Sequence, residues 1–126
     1  REMSKIINSL HKSGKTICIS THILSEVETL CTNVAILKNG RMTSTVELNN
    51  EFFHNISYII NSSNISDCKK ILNNIKPMHI KQVDKNNIFI QSKDKNYPKE
   101  VKKILSEANI DFIITKESNL MYYFND

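Results

Sequence analysis

The run whose residue types and spacing could do chemistry is Ser20-Thr21-His22. It sits where the apolar, β-branched stretch Thr16-Ile17-Cys18-Ile19 gives way to a helical pattern. In open α/β sheets, ligands bind at the carboxyl ends of strands. An imidazole there can reach a phosphate or a polarised water, and it changes charge near neutral pH. On that physics alone, a histidine at a strand end is more often a satisfied structural residue. The remaining chemistry is sparse. A phosphate-cradling loop needs two glycines five residues apart followed by Lys, and the chain has only Gly14 and Gly40. No apolar run ends in an acidic pair able to hold magnesium. His11, His54 and His79 are scattered and lack metal-ligand spacing, so no metal site is expected. Cys18, Cys31 and Cys68 form no Cys-x-x-Cys pair. Each lies in an apolar pattern, which predicts free buried thiols.

The elements that must position His22 follow from periodicity. Met3, Ile6, Ile7 and Leu10 fall on one helical face, and Gly14 suits the left-handed position that ends such a helix. Thr16–Ser20 reads as a buried strand. Leu24, Val27 and Leu30 return to helical spacing, with Ser25 and Glu28 as a possible capping box or a start at Ile23. Val34–Leu37 reads as a second buried strand. Asn39-Gly40 is a strong two-residue hairpin signal, leading into a return strand from Arg41 to Val46.

The character changes around Glu47–His54, which places a boundary there. Beyond it, the pattern predicts strands at Ile56–Asn61, Met78–Val83, Ile88–Gln91 and Ile110–Thr115. A helix runs through Cys68, Ile71, Leu72 and Ile75, stopped by Pro77. A second helix opens near Pro98, runs through Val101, Ile104, Leu105 and Ala108, and ends at Asn109. The order βαββαβ is the ferredoxin-like split arrangement, with two helices on one face of a four-stranded sheet. Leu120, Tyr123 and Phe124 suit a short closing helix. The expected fold class is therefore α/β in the α+β sense: a partial α/β piece over residues 1–46, then a ferredoxin-like domain over 47–126.

Charge narrows the partners. The chain has 17 basic and 13 acidic residues, for a net charge of +4. Residues 1–46 carry +3 of this and residues 47–126 carry +1, and Lys runs never exceed two. That dispersal reads as a solvated mixed surface, so no nucleic-acid partner is expected. No stretch approaches the roughly 18 apolar residues of a membrane span. No signal peptide is present. Arg1 opens directly inside a helical pattern, so the sequence reads as continuing a longer chain.

The run ISTHILSEVETLCTNVAILKNGRM resembles the switch-histidine region of ATP-binding subunits of ABC transporters. In that family a buried strand ends in hydroxyl residues and His, followed by an acidic amphipathic helix, a short strand and a Gly-bearing hairpin. Here these are Ser20, Thr21 and His22, the helix with Glu26 and Glu28, Val34–Leu37, and Asn39-Gly40. The helix Arg1–Lys12 is similar to the one that follows the family's D-loop. The resemblance implies a C-terminal fragment starting after that loop, spanning roughly residues 1–46 with the switch histidine. It implies that His22 contacts the γ-phosphate and helps hold the attacking water. It further implies that ATP and Mg2+ serve the parent subunit, and that a transmembrane permease subunit and a second ATP-binding subunit are its partners. The parent would sit on the cytoplasmic face of the membrane, peripheral to it through the permease. The rest of the machinery would lie upstream, so the fragment alone is expected to be inactive. Its partial sheet is expected to self-associate or to pack on residues 47–126.

Residues 47–126 resemble the extra C-terminal domain of drug- and antibiotic-exporter subunits. That domain ends in an acidic residue, Ser, Leu and a Phe-containing helix. Glu117-Ser118-Asn119-Leu120 through Phe124 is a loose version, from which the inserted Asn119 and the Asn125-Asp126 ending depart. The implied role is regulatory or dimer-stabilising. The alternative is a small-molecule sensor or an RNA-binding sheet, for which Tyr58, Phe89 and Phe112 would be the aromatics.

Overall fold

The computed structural model describes residues 2–75 and 79–124. Pro77, Met78 and the Asn125-Asp126 ending, which entered the sequence reading, lie outside the described residues. The chain divides into two compact units, residues 1–49 and 50–126. Both mix helices with antiparallel strands, an α+β fold.

The first unit begins with helix α1, Glu2–Lys12. Gly14 ends it at φ +93°, the left-handed region that costs glycine least. There the Gly14 amide donates to the His11 carbonyl at 3.0 Å and the Lys15 amide to the Leu10 carbonyl at 3.2 Å, a Schellman pair. The apolar stripe of α1 is not covered: Met3, Ile6 and Leu10 are 61%, 59% and 40% exposed. Helix α2, Leu24–Leu30, follows, then strands β1, Asn33–Lys38, and β2, Arg41–Glu47. Asn39 and Gly40 have φ of 51° and 76°. Two positive values in succession make the primed turn that matches strand twist, so the hairpin signal is realised.

Three readings of this unit are corrected. Residues 15–20 are irregular rather than a strand. A strand needs a ladder partner for its amides and carbonyls, and β1 and β2 pair with each other instead. Val34–Leu37 is not buried on both faces: Ile36 is buried, whereas Ala35 and Leu37 are exposed, the alternation of a one-sided hairpin. The cysteines are not uniformly buried. Cys18, on the irregular segment, is exposed, Cys31 is half-buried, and Cys68 is buried.

The second unit adds helix α3, Asn50–His54, which its short, polar-flanked pattern did not announce. Strand β3, Ile56–Asn61, helix α4, Ile65–Asn73, and strand β4, His79–Gln82, come next. Strand β5, Asn87–Ser92, helix α5, Tyr97–Glu107, and strand β6, Ile113–Glu117, complete the set. The sheet order is β4-β5-β3-β6, with every pair antiparallel, which is the ferredoxin-like order. The Asn64 side chain caps α4 by accepting from the Asp67 amide. Asn109 ends α5 in the left-handed region at φ 57°, where the Ile110 amide donates to the Leu105 carbonyl at 3.0 Å. Strand β6 starts at Ile113, three residues later than Ile110, because that cap consumes the start of the apolar run.

One face of this sheet meets the two helices. Ile60 lies opposite both Ile88 and Ile114. With Ile90, Cys68, Leu72, Tyr97, Val101 and Leu105, Ile60 and Ile88 form a core with exposures between 0 and 3%. The other face carries Ser57, Phe89 and Gln91, all buried. A 3-10 helix, Asn119–Tyr123, packs on β5 there and buries Leu120.

Candidate functional site

His22 sits on a bend one residue beyond the irregular segment and is exposed. The bend is set locally. The Thr21 Oγ1 accepts from the Ile23 amide at 3.1 Å, and the Ile23 carbonyl accepts from the Glu26 and Val27 amides at 3.1 and 3.2 Å. The hydroxyl thus turns the chain, and α2 starts directly after it. Ile23, not Ser25, is the N-cap, and it offers no side-chain cap. The Ser25–Glu28 capping box is not formed at this start, because Leu24 is already helical.

An apolar cleft lies beside this bend within the first unit. Ile7 of α1, Ile19 and Thr21 of the irregular segment, and Val27, Leu30 and Cys31 of α2 line it. His22 is not among the lining residues. The arrangement therefore presents the imidazole outward from a bend anchored at its C-terminal side by a helix. Such a group can meet a phosphate brought by another segment, but it has no anion cradle of its own. His11 lies in the last turn of α1, His54 ends α3, and the His79 ring stacks on Tyr122 with centroids 4.4 Å apart. Among the described residues, no three His, Cys, Asp or Glu side chains are arranged to hold a metal ion. No helix of the described residues is long and apolar enough to cross a membrane.

In the second unit, the side chain that sequence reasoning treated as a departure is central. The Asn119 amide nitrogen donates to the Phe52 carbonyl at 2.9 Å and to the Asn55 carbonyl at 2.7 Å. The Phe52 carbonyl also accepts from the Asn55 amide at 3.4 Å, so the Asn119 amide joins the backbone at the end of α3. The Asn119 oxygen accepts from the Ser57 hydroxyl at 2.6 Å, which itself accepts from Gln91 at 3.1 Å. The signal for this network was present but unread: Ser57 and Gln91 are polar residues inside apolar strand runs. Phe89, proposed as a stacking aromatic, is 1% exposed. Tyr58 faces the helix side, opposite Ile90, and burial raises its hydroxyl pKa. Phe112 precedes β6 and packs against the core. None of the three is on an open sheet face, so the described strands offer no stacking platform of the kind single-stranded RNA uses.

With this geometry in hand, the comparisons with known proteins are specific. An uncharacterized ABC transporter ATP-binding protein of Nostoc sp. is 48% identical over 46 residues, 36% of this chain and 14% of that protein. One of Synechocystis sp. is 44% identical over 41 residues, 32% of this chain and 12% of that protein. One of Methanocaldococcus jannaschii is 49% identical over 41 residues, 32% of this chain and 16% of that protein. About a third of the chain is homologous to ABC transporter ATP-binding proteins. The matches span only 12 to 16% of the length of these curated relatives. No protein-family model matches the chain. ABC transporter ATP-binding proteins are ATPases that use ATP and Mg2+, and they work with transmembrane components at the membrane.

Proposed function

We propose that this chain is the C-terminal part of the ATP-binding subunit of an ABC transporter of the exporter type, and that His22 is its switch histidine. The observation that carries this reading is the 44 to 49% identity to three ATP-binding proteins of that class. The run from Ile19 to Met42 that carries the resemblance has the spacing the role needs. In the longer subunit the imidazole contacts the γ-phosphate and orients the attacking water, while upstream segments supply the phosphate cradle and the Mg2+ ligands. Phosphoryl transfer depends mostly on positioning and charge stabilisation, so His22 alone does not suffice, and the 126-residue chain neither binds ATP tightly nor hydrolyses it. The exposed stripe of α1 and residues 15–20 pack against those upstream segments. A permease subunit and a second ATP-binding subunit are the partners, and the permease holds the subunit to the cytoplasmic face of the membrane. The unit of residues 50–126 is a regulatory or dimer-stabilising appendage.

The test is Mg2+-dependent ATP hydrolysis by a gene product that includes the sequence preceding Arg1. His22→Ala is expected to lower turnover by about 100-fold or more, the scale of a lost proton-handling or water-positioning group. Unchanged turnover in that variant removes the role of His22. An upstream sequence without an apolar strand ending in Asp-Glu removes the whole assignment.

A further inference from the structure

The four-stranded sheet ends on one side at β6, whose only strand neighbour among the described residues is β3. An edge of this kind offers amides and carbonyls to another strand, and proteins blunt it with shortness, charge or a bulge. β6 is little blunted. It runs for five residues, Ile113–Glu117, pairs with β3 without a register break, and leaves Ile113 66% exposed. Thr115 and Lys116 are exposed as well, and Ile114 and Glu117 are half-buried. The opposite edge, β4, is shorter, with four residues, and carries Lys81. Two copies of β4 related by a two-fold axis at Lys81 would set two ammonium groups face to face. An axis at Ile80 would set each His79 against the other copy's Lys81.

We propose that β6 pairs antiparallel with β6 of a second copy of this chain, about a two-fold axis at Thr115, joining two sheets into one of eight strands. Charge and overlap select that register. A two-fold axis perpendicular to the sheet pairs residues that share a face, so it passes through a residue rather than between two. At Ile114 it brings Asp111 opposite the other copy's Glu117. At Lys116 two ammonium groups meet, and at Glu117 two carboxylates. Like charges placed directly opposite are unfavourable. At Ile113 the two strands overlap by that residue alone. At Thr115 all five residues overlap and no like charges oppose: Thr115 meets Thr115, a favourable cross-strand pair. Ile114 meets the other copy's Lys116, and Ile113 meets its Glu117. Their aliphatic stems cover the two isoleucines while the charged ends stay in water. Five residues a side make a small contact, so the pairing is weak on its own. Its consequence rests on the reading of residues 50–126 as a dimer-stabilising appendage. A second ATP-binding subunit would hold the other β6 nearby, at an effective concentration of about millimolar.

The experiment follows the mass of the 126-residue chain by sedimentation at low salt, from about 1 μM to about 1 mM. The expected result is a monomer–dimer equilibrium, with amide exchange along β6 slowing as the dimer fills. Thr115→Lys sets two ammonium groups on the axis and should raise the dimer Kd about 10-fold or more. The dilute variant should keep the urea midpoint of the unchanged chain. Thr115→Glu should weaken the dimer likewise, and an equimolar mixture of the two variants should dimerise again as a mixed pair. Recovery in the mixture separates repulsion from misfolding. A monomer at every concentration overturns the pairing and leaves the edge to a different partner. Growth beyond a dimer also overturns it, because β6 on β4 of the next copy propagates as an open chain. A dimer that Thr115→Lys leaves unchanged uses another surface, such as the exposed stripe of α1, and overturns it too. A mixture that stays monomeric overturns the axis at Thr115. None of these results touches the assignment of His22, which the ATPase measurement decides separately.

Discussion

In the unit of residues 50–126, both faces of a four-stranded sheet are covered, and Ile60, Leu72, Ile88, Ile90, Val101 and Leu105 are all fully buried. In the unit of residues 2–49, the buried apolar side chains among the described residues are Val27, Ile36 and Val46, while Met3, Ile6, Leu37 and Met42 are each at least 59% exposed. The run that carries the family resemblance lies in the second of these, the less self-covered one. The difference separates two properties that are easily merged. Resemblance tracks residue types and their spacing. Burial tracks whether a stretch of chain can hold its own shape. A fully buried Leu, Ile or Met contributes about 1.5 to 3 kcal/mol, and the exposed stripe of α1 forgoes most of that. An isolated helix of its 11 residues is marginal in water.

The contrast breaks most readily on paired core substitutions. Leu105→Ala should destabilise the unit of residues 50–126 by about 2 to 5 kcal/mol, through lost burial and a residual cavity. Ile6→Ala, on the exposed stripe of α1, should change stability by no more than about 0.5 kcal/mol. Urea unfolding of both variants checks this, and equal losses would mean that α1 is covered in solution. Asn119→Ala comes next, at about 1 to 3 kcal/mol, because it removes buried hydrogen bonds to the Phe52 and Asn55 carbonyls and to the Ser57 hydroxyl. The same unfolding curves read it, and a neutral result would mean that water replaces the amide.

The smallest effect is at Tyr97. Its hydroxyl is buried without a hydrogen-bond partner among the described residues, so Tyr97→Phe should be neutral or stabilise by about 1 kcal/mol. Burial first, then the Glu100 charge, raises its pKa from 10.0 to about 12. The folded chain thus holds this proton more tightly than the unfolded one. Its contribution is complete below pH 10 and is lost as pH rises through about 12. Cys68 acts in the same direction between 9.0 and about 11, chiefly through burial. Stability should therefore fall as pH rises over that whole interval, and Tyr97→Phe should flatten its upper part. Unfolding midpoints followed at increasing pH test the slope.

Much of the second unit was legible because its signals are local and agree with one another. Ile56–Asn61 reads as a strand from its short apolar, β-branched composition, Pro98 and Asn109 mark the ends of α5, and the polar turn at 84–86 separates β4 from β5. Asn39-Gly40 was equally plain, since few residues take two positive φ values in succession. The misreadings have a shared cause. Thr16–Ser20 has the composition of a strand, but a strand is a pairwise object, and its own residues do not reveal whether a partner is at hand. Strand β6 was misplaced by three residues, because the Asn109 cap and an apolar run compete for the same positions. The Asn119 network was missed because its members are 34 to 67 residues apart, beyond any periodicity. His22 was found by the resemblance. Its geometry, an exposed ring on a bend, would not have singled it out.

Asn119 also sets an order of events during synthesis. It ties the last element of its unit to the first, 67 positions along the chain from the Phe52 carbonyl to the Asn119 amide that bonds it. Until residue 119 has left the ribosomal tunnel, the end of α3 lacks the Asn119 amide, and the face of β5 that carries Phe89 lies open. A nascent chain therefore passes through a stage in which the helical side of the sheet can assemble while the other side stays sticky. Closing so long a loop is slow compared with local helix formation. That interval is when a chaperone, or a neighbouring nascent chain, has its best access to this surface.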